Sequence, residues 1–187
     1  MTPASPRAAG VRTPPRIEEL DHVGEEAFVD ALAALFESAP RFLRRLAAAR
    51  PFGTPDAMFA RAREIARAVP EDEQRELVDA HPRLGAPAGQ VSPLSFAEQG
   101  YDRPDDPRER EREELGRELD ALNTAYEAKF GFRYCVFVAG RSRAELLPGM
   151  RAALEADRGG ELGRAVDAVI DIAADRYRKL TAGGRER

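Results

Sequence analysis

Between Glu25 and Ala39, apolar side chains recur at Phe28, Ala31, Leu32, Leu35, Phe36 and Ala39, the spacing of a single stripe on an amphipathic helix. Pro40 is expected to stop that helix, and Phe42, Leu43 and Leu46 predict a second, short one. Past the Arg50-Pro51-Phe52-Gly53 corner, Thr54-Pro55 reads as an N-cap followed by a first-turn proline. Met58, Ala62, Ile65, Ala66 and Val69 then form the stripe of a third helix closed by Pro70, and a further short helix from about Glu71 to Ala80 leads into His81-Pro82. Asp106-Pro107-Arg108-Glu109 has the form of a capping box ahead of Leu115, Leu119, Leu122 and Tyr126, with Gly131 as the stop. Ser142 and Glu145 form another capping signature before Leu146, Leu147, Met150, Ala153 and Leu154, where Pro148 must kink the helix or move its start. Gly159-Gly160 breaks the chain, and Leu162, Val166, Val169, Ile170, Ala173, Tyr177 and Leu180 mark a long final helix.

The run Phe132 to Val138 is aromatic and β-branched, so local propensity favours a strand. No second run of comparable strength is available to pair with it, and a lone strand leaves its backbone donors unsatisfied. An extended or partly helical buried segment is therefore expected. The pattern predicts an all-α, single-domain bundle of about seven or eight helices over residues 17–182. Residues 1–16, with Pro3, Pro6, Pro14 and Pro15 and no apolar period, are expected to form a disordered extension, and residues 183–187 a flexible tail.

Charge and composition narrow the function. Of the 187 residues, 29 are basic and 33 acidic, a formal charge of −4, so no positive field gathers a nucleic acid backbone. No apolar run of membrane-spanning length occurs, and the N-terminus has no secretory apolar core. Cys135 is the one cysteine, which excludes an internal disulfide, and with only His22 and His81 a metal site is poorly supplied with ligands. A cytoplasmic protein with no nucleic acid or membrane partner and no metal is the expectation. A glycine-rich phosphate loop, a helical His-Glu-x-x-His and a Gly-x-Ser-x-Gly elbow are all missing from the sequence.

Residues 81–104 hold four prolines, three glycines and no sustained period, which in a compact domain points to a functional loop. His81 ends a short helix, and Pro82 restricts its backbone and helps to aim the imidazole; equally, the ring could simply meet the last carbonyls of that helix. Ser95 and Glu98 could be a capping pair, yet with Gln99 they also place a carboxylate and neutral donors on the same loop as the histidine. Histidine beside carboxylate is the minimal set for proton transfer near neutral pH. Arg133 and Arg141 flank the apolar run and either could offer a fork to an anion, or lie solvated at the surface. Cys135 reads as a small core residue rather than a nucleophile.

In order along the chain, Phe28 to Pro40 with Arg50-Pro51-Phe52, His81-Pro82-Arg83-Leu84-Gly85, Ser95 to Gln99, Leu122-Asn123 with Tyr126, Phe130-Gly131-Phe132, Gly140-Arg141-Ser142 and Ile172-Ala173 to Leu180 resemble the family of 2-oxo-4-hydroxy-4-carboxy-5-ureidoimidazoline (OHCU) decarboxylases. The resemblance implies an all-helical, homodimeric, cofactor-free carboxy-lyase that converts OHCU, a small anionic substrate, to (S)-allantoin in urate degradation. It puts the acid/base histidine on His81 and its catalytic partner on Glu98. Substrate contacts fall on Pro82, Ser95, Gln99, Phe132, Arg133, Tyr134, Cys135, Val136 and Arg141. His81 is then expected to donate the proton, with Glu98 holding the substrate hydroxyl and orienting the imidazole. The chain differs from the family at Arg133, where a small or apolar residue is usual, and at Gly100-Tyr101-Asp102. A diverged decarboxylase for a related ureido acid and a non-catalytic helical interaction module remain the alternatives.

Overall fold

The computed structural model describes residues 12–100 and 109–183. Among them are nine α-helices: α1 Ile17–Leu20, α2 Glu25–Leu32, α3 Pro40–Ala48, α4 Pro55–Ala68, α5 Glu71–Asp79, α6 Pro93–Glu98, α7 Glu109–Phe130, α8 Arg143–Ala153 and α9 Arg158–Gly183. Two 3₁₀ turns, Ala33–Leu35 and Ala88–Gln90, complete the regular structure, and no strand occurs among the described residues.

The all-α class holds, and all seven helices expected from periodicity appear, two of them with changed boundaries or caps. The first stripe is broken: α2 ends at Leu32, the 3₁₀ turn takes Ala33–Leu35, and Glu37 and Ser38 adopt positive φ of 49° and 62°. Pro40 does not stop a helix but begins α3 at its first turn, where a missing N–H costs nothing. Phe28, Leu32, Leu35, Phe36 and Ala39 are buried all the same. α1 and α6 were not expected; both are too short for a period to register. In α6 the N-cap is Ser92, whose side chain accepts from the Ser95 N–H, so Ser95 is not the cap that the sequence suggested. Ser142 and Glu145 do form a complete capping box, and α8 runs through Pro148. Asp106 to Arg108, Tyr101, Asp102, residues 1–11 and residues 184–187 lie outside the described residues.

The last helix is the axis of the molecule. α4 and α5 pack against it, and Leu162, Ala165, Val166, Val169, Ile170, Ala173 and Tyr177 are all buried along it. Ile172 and Arg176 are buried too, giving α9 a second inward stripe, as a helix covered on two sides requires. At the other end of the described chain, Pro14 is buried and the Pro15 carbonyl accepts from the Tyr177 hydroxyl at 3.3 Å.

Residues 133–138 are extended and buried or half-buried, without strand partners. Arginines satisfy their carbonyls and those of their neighbours: Arg164 from α9 donates to Cys135, and Arg141 donates to Phe137 and Val138. Gly131, at φ 77°, makes the turn into this segment and donates its N–H to Glu127, the left-handed helix stop that glycine adopts without a Cβ clash. The run is β-prone by composition, yet its hydrogen bonds are supplied by guanidinium groups instead of a second strand.

Candidate active site

The segment 134–140, α6 with Gln99 after it, and the C-terminal half of α9 enclose a cavity of about 180 Å³. His81, Pro82 and Leu84 close one side, Ser95, Glu98 and Gln99 another, and Tyr134 through Gly140 a third. Ile172 and Lys179 of α9 complete the lining.

His81 is 4% exposed. Its Nδ1 lies 3.4 Å from the Leu77 carbonyl in the last turn of α5, and a carbonyl can only accept, so Nδ1 carries the proton. The helix-end contact weighed from sequence is real, and it fixes the tautomer that leaves a lone pair on Nε2. That Nε2 is buried with no hydrogen-bond partner. Burial, and secondarily the Arg176 charge, hold the imidazole well below its ordinary range at about 4, against an opposing pull from Glu37. The resting ring is therefore neutral near pH 7, so any proton that His81 delivers must first be taken up at Nε2.

Glu98 sits at the end of α6 and is ion-paired to Arg176 through Nε to Oε1 at 2.7 Å and Nη2 to Oε2 at 2.8 Å. No hydrogen bond joins Glu98 to His81 among the described residues; Leu77 orients the imidazole, and Arg176 orients the carboxylate. Arg176 is 2% exposed and also donates to the Ala34 and Leu35 carbonyls, to Ser95 Oγ and to Glu37 Oε1. Burial works against its charge, but Glu98 and Glu37 outweigh that and raise its pKa above the ordinary value. Glu37, on the positive-φ link before α3, further accepts from Ser92 and Ser95 at 2.7 Å each. Burial opposes its charge as well, and Arg176 with the two serines keeps its carboxyl below the usual range.

Gln99 braces the site: its Oε1 accepts from the Gly85 N–H at 2.8 Å and its Nε2 donates to the Arg83 carbonyl. Gly85 has φ 81°, and a Cβ there would stand 3.0 Å from Leu119. Cys135 lines the cavity but is buried, which pushes its thiol up to about 12 despite Arg164 and Arg176 nearby. It stays a neutral wall atom.

Of the residues expected from sequence, His81, Pro82, Ser95, Glu98, Gln99, Tyr134, Cys135 and Val136 meet at this cavity. Phe132, Arg133 and Arg141 do not. Phe132 packs in an aromatic group with Tyr126 and Phe130. The Arg133 guanidinium donates to the Asp79 and His81 carbonyls, and Arg141 is turned onto its own segment. Neither arginine presents its fork to the cavity. Arg176, Glu37 and Lys179 were not anticipated. The available signal for Arg176 was its place within the apolar stripe between Ala173 and Tyr177; nothing local marked Glu37. No group of three or more His, Cys, Asp or Glu side chains able to hold a metal ion occurs among the described residues. No helix among them is long and apolar enough to cross a membrane.

The OHCU decarboxylase family model matches residues 21–178. The 2-oxo-4-hydroxy-4-carboxy-5-ureidoimidazoline decarboxylase of Halalkalicoccus jeotgali is 29% identical over 167 residues, spanning 88% of this chain and 91% of that protein. The uric acid degradation bifunctional protein PucL of Bacillus subtilis is 26% identical over 84% of this chain, which spans 31% of that longer relative. Among solved structures, an OHCU decarboxylase crystallised in the presence of (S)-allantoin has a TM-score of 0.64 at 22% identity, covering 86% of this chain and 99% of that one. An (S)-allantoin synthase structure has a TM-score of 0.62 at 17% identity, covering 89% of this chain and 54% of that one. At those identities the likeness is one of fold.

Proposed function

The chain belongs to the OHCU decarboxylase family, and on that footing we propose that it converts OHCU to (S)-allantoin and CO₂ in urate degradation, as a cytoplasmic homodimer. The observation that carries this reading is the buried, unpartnered Nε2 of His81, a residue that lines the same cavity as an Arg176-held Glu98.

The substrate's own bonding supports a reaction that needs no cofactor. OHCU carries hydroxyl and carboxylate on one ring carbon, beside a carbon doubly bonded to nitrogen. When the bond to the carboxylate breaks, its electron pair forms a carbon–carbon double bond and the imine pair moves to the ring nitrogen, which takes a proton from solvent. The hydroxyl then becomes the carbonyl of allantoin as the neighbouring carbon gains a proton. What remains for the protein is to hold the ring, stabilise the shifting charge and move one proton to one face.

Each role has a candidate. Glu98, held by the Arg176 fork, accepts from a ring or ureido N–H and fixes the ring beside His81. The neutral His81 takes the hydroxyl proton at Nε2 as the carbonyl forms and passes it to the adjacent carbon, beginning and ending the cycle uncharged. Proton delivery from that side sets the configuration of the product. The N–H groups of residues 136–139, which make no hydrogen bond to another described residue, are available to the ring oxygen and ureido arm. Ser95 and Gln99 support the site through their bonds to Glu37, Gly85 and Arg83.

The test generates OHCU in place from urate with uricase and hydroxyisourate hydrolase and follows optically active allantoin by circular dichroism. Added protein is expected to accelerate its appearance over the spontaneous rate; an unchanged rate with folded protein removes this function and leaves an interaction module or another substrate.

A further inference from the structure

We propose that Lys179 recruits the substrate carboxylate at the mouth of the cavity, a role that rests on the decarboxylase reading above.

The charge balance around the cavity calls for such a group. Glu37 and Glu98 face one buried cation, Arg176, and His81 is neutral, so the interior carries one excess negative charge. A guest with its own carboxylate is repelled by that interior. Arg176 cannot compensate further, because its nitrogens already donate to Glu98, Glu37, Ser95 and the Ala34 and Leu35 carbonyls. Among the described residues lining the cavity, Lys179 has the one side chain that is cationic at neutral pH.

Its position follows from the helix. Ile172, Arg176 and Lys179 stand at i, i+4 and i+7 on α9, one above another on a single face. Ile172 and Arg176 are buried, whereas the Lys179 side chain is 70% exposed, so this face leads from the interior to solvent. Lys179 Nζ bonds Asp175 Oδ2 at 2.6 Å, which leaves ammonium donors to spare. Asp175 is also paired with Arg178 at 3.0 Å, so Lys179 can turn to a ligand without stranding that carboxylate.

A solvated lysine also suits the chemistry better than a buried arginine fork. A carboxylate clamped tightly in the ground state is harder to lose as CO₂, since only interactions that strengthen in the transition state raise kcat. Lys179 holds the leaving group loosely at the outer end while His81 and Glu98 hold the ring within. Its contribution is then to binding, in KM, with little effect on kcat.

The experiment compares wild-type full chain with K179M, K179R and K179E, measuring initial rates of allantoin formation against OHCU concentration at two ionic strengths. For K179M, KM is expected to rise about five- to tenfold with kcat within about twofold of wild type, as suits an ion pair that is partly solvated. K179R is expected to restore KM, and K179E to raise it beyond K179M. Added salt lowers kcat/KM for wild type, whereas for K179M, where only the repulsion from the interior remains to be screened, kcat/KM does not fall. Inhibition by the uncharged product (S)-allantoin is expected to be equal in wild type and K179M, which separates lost charge from a damaged site. A K179M KM close to wild type, or K179R as impaired as K179M, overturns the proposal while leaving the decarboxylase intact. A wild-type chain that forms no allantoin overturns the functional reading itself.

Discussion

Arg176 grips Glu98 through two side-by-side hydrogen bonds, Nε to Oε1 at 2.7 Å and Nη2 to Oε2 at 2.8 Å, joining the last helix to the short helix on the opposite wall of the cavity. The pair is more than a surface contact. The guanidinium is 2% exposed, and Glu37 shares it, so its removal strands two carboxylates in a poorly solvated place. Arg176→Met is therefore expected to cost about 3–5 kcal/mol of unfolding free energy in urea titrations. Arg176→Lys keeps the charge but loses the fork, and is expected to fold while losing roughly 10²-fold in kcat/KM, because Glu98 is no longer held in one orientation. An Arg176→Lys enzyme of full activity would show that the orientation of Glu98 is immaterial.

The neutral, buried imidazole makes a prediction about pH with a definite sign. His81 titrates at about 4 in the folded chain and near its ordinary 6.5 when unfolded, so between those values the unfolded state binds more protons. Stability is fully present above pH 6.5 and falls as the pH drops from 6.5 towards 4, by about 3 kcal/mol from this group. Urea midpoints measured across this range should show the decline in wild type and much less of it in His81→Ala. Because the neutral form is the acceptor, kcat/KM should stay level to well below pH 6.5 and fall only towards pH 4. His81→Ala should lose about 10²–10⁴-fold in activity with its helical circular dichroism unchanged. An acid limb at 6.5 would contradict the buried, uncharged ring.

Arg133 offers a test that separates support from substrate contact. Its guanidinium caps the Asp79 and His81 carbonyls, so Arg133→Ala should lower stability by about 1–3 kcal/mol through unsatisfied acceptors. KM for the anionic substrate should remain within about twofold of wild type. A large rise in KM at unchanged stability would return Arg133 to the role of anion partner.

What the sequence made legible, and what it hid, divides along physical lines. Helices α2 to α5 and α7 to α9 announce themselves because each has a buried stripe long enough for its period to register. His81 and Glu98 were readable because they stand on a proline- and glycine-rich stretch with few rival groups. The break at Glu37 and Ser38 was not, since their positive φ is imposed by tertiary contacts and not by glycine. Arg176 was hidden for a related reason: an arginine is buried only when its partners are already there, and those partners lie 78 and 139 positions away. The arginines at 133 and 141 could not be placed from sequence, because a guanidinium near a suspected pocket looks the same there whether its fork faces a ligand or a row of carbonyls.

The central claim is that one small guest lies between His81 Nε2 and the Glu98 carboxylate. Crystals of the protein soaked with (S)-allantoin test it most directly. Density for the ring is expected in the cavity between α6, α9 and residues 134–140, with a ligand polar atom about 2.6–3.2 Å from Nε2 and a ligand donor on Glu98. Allantoin bound elsewhere, or His81 and Glu98 turned into separate regions with no shared ligand, would contradict the account.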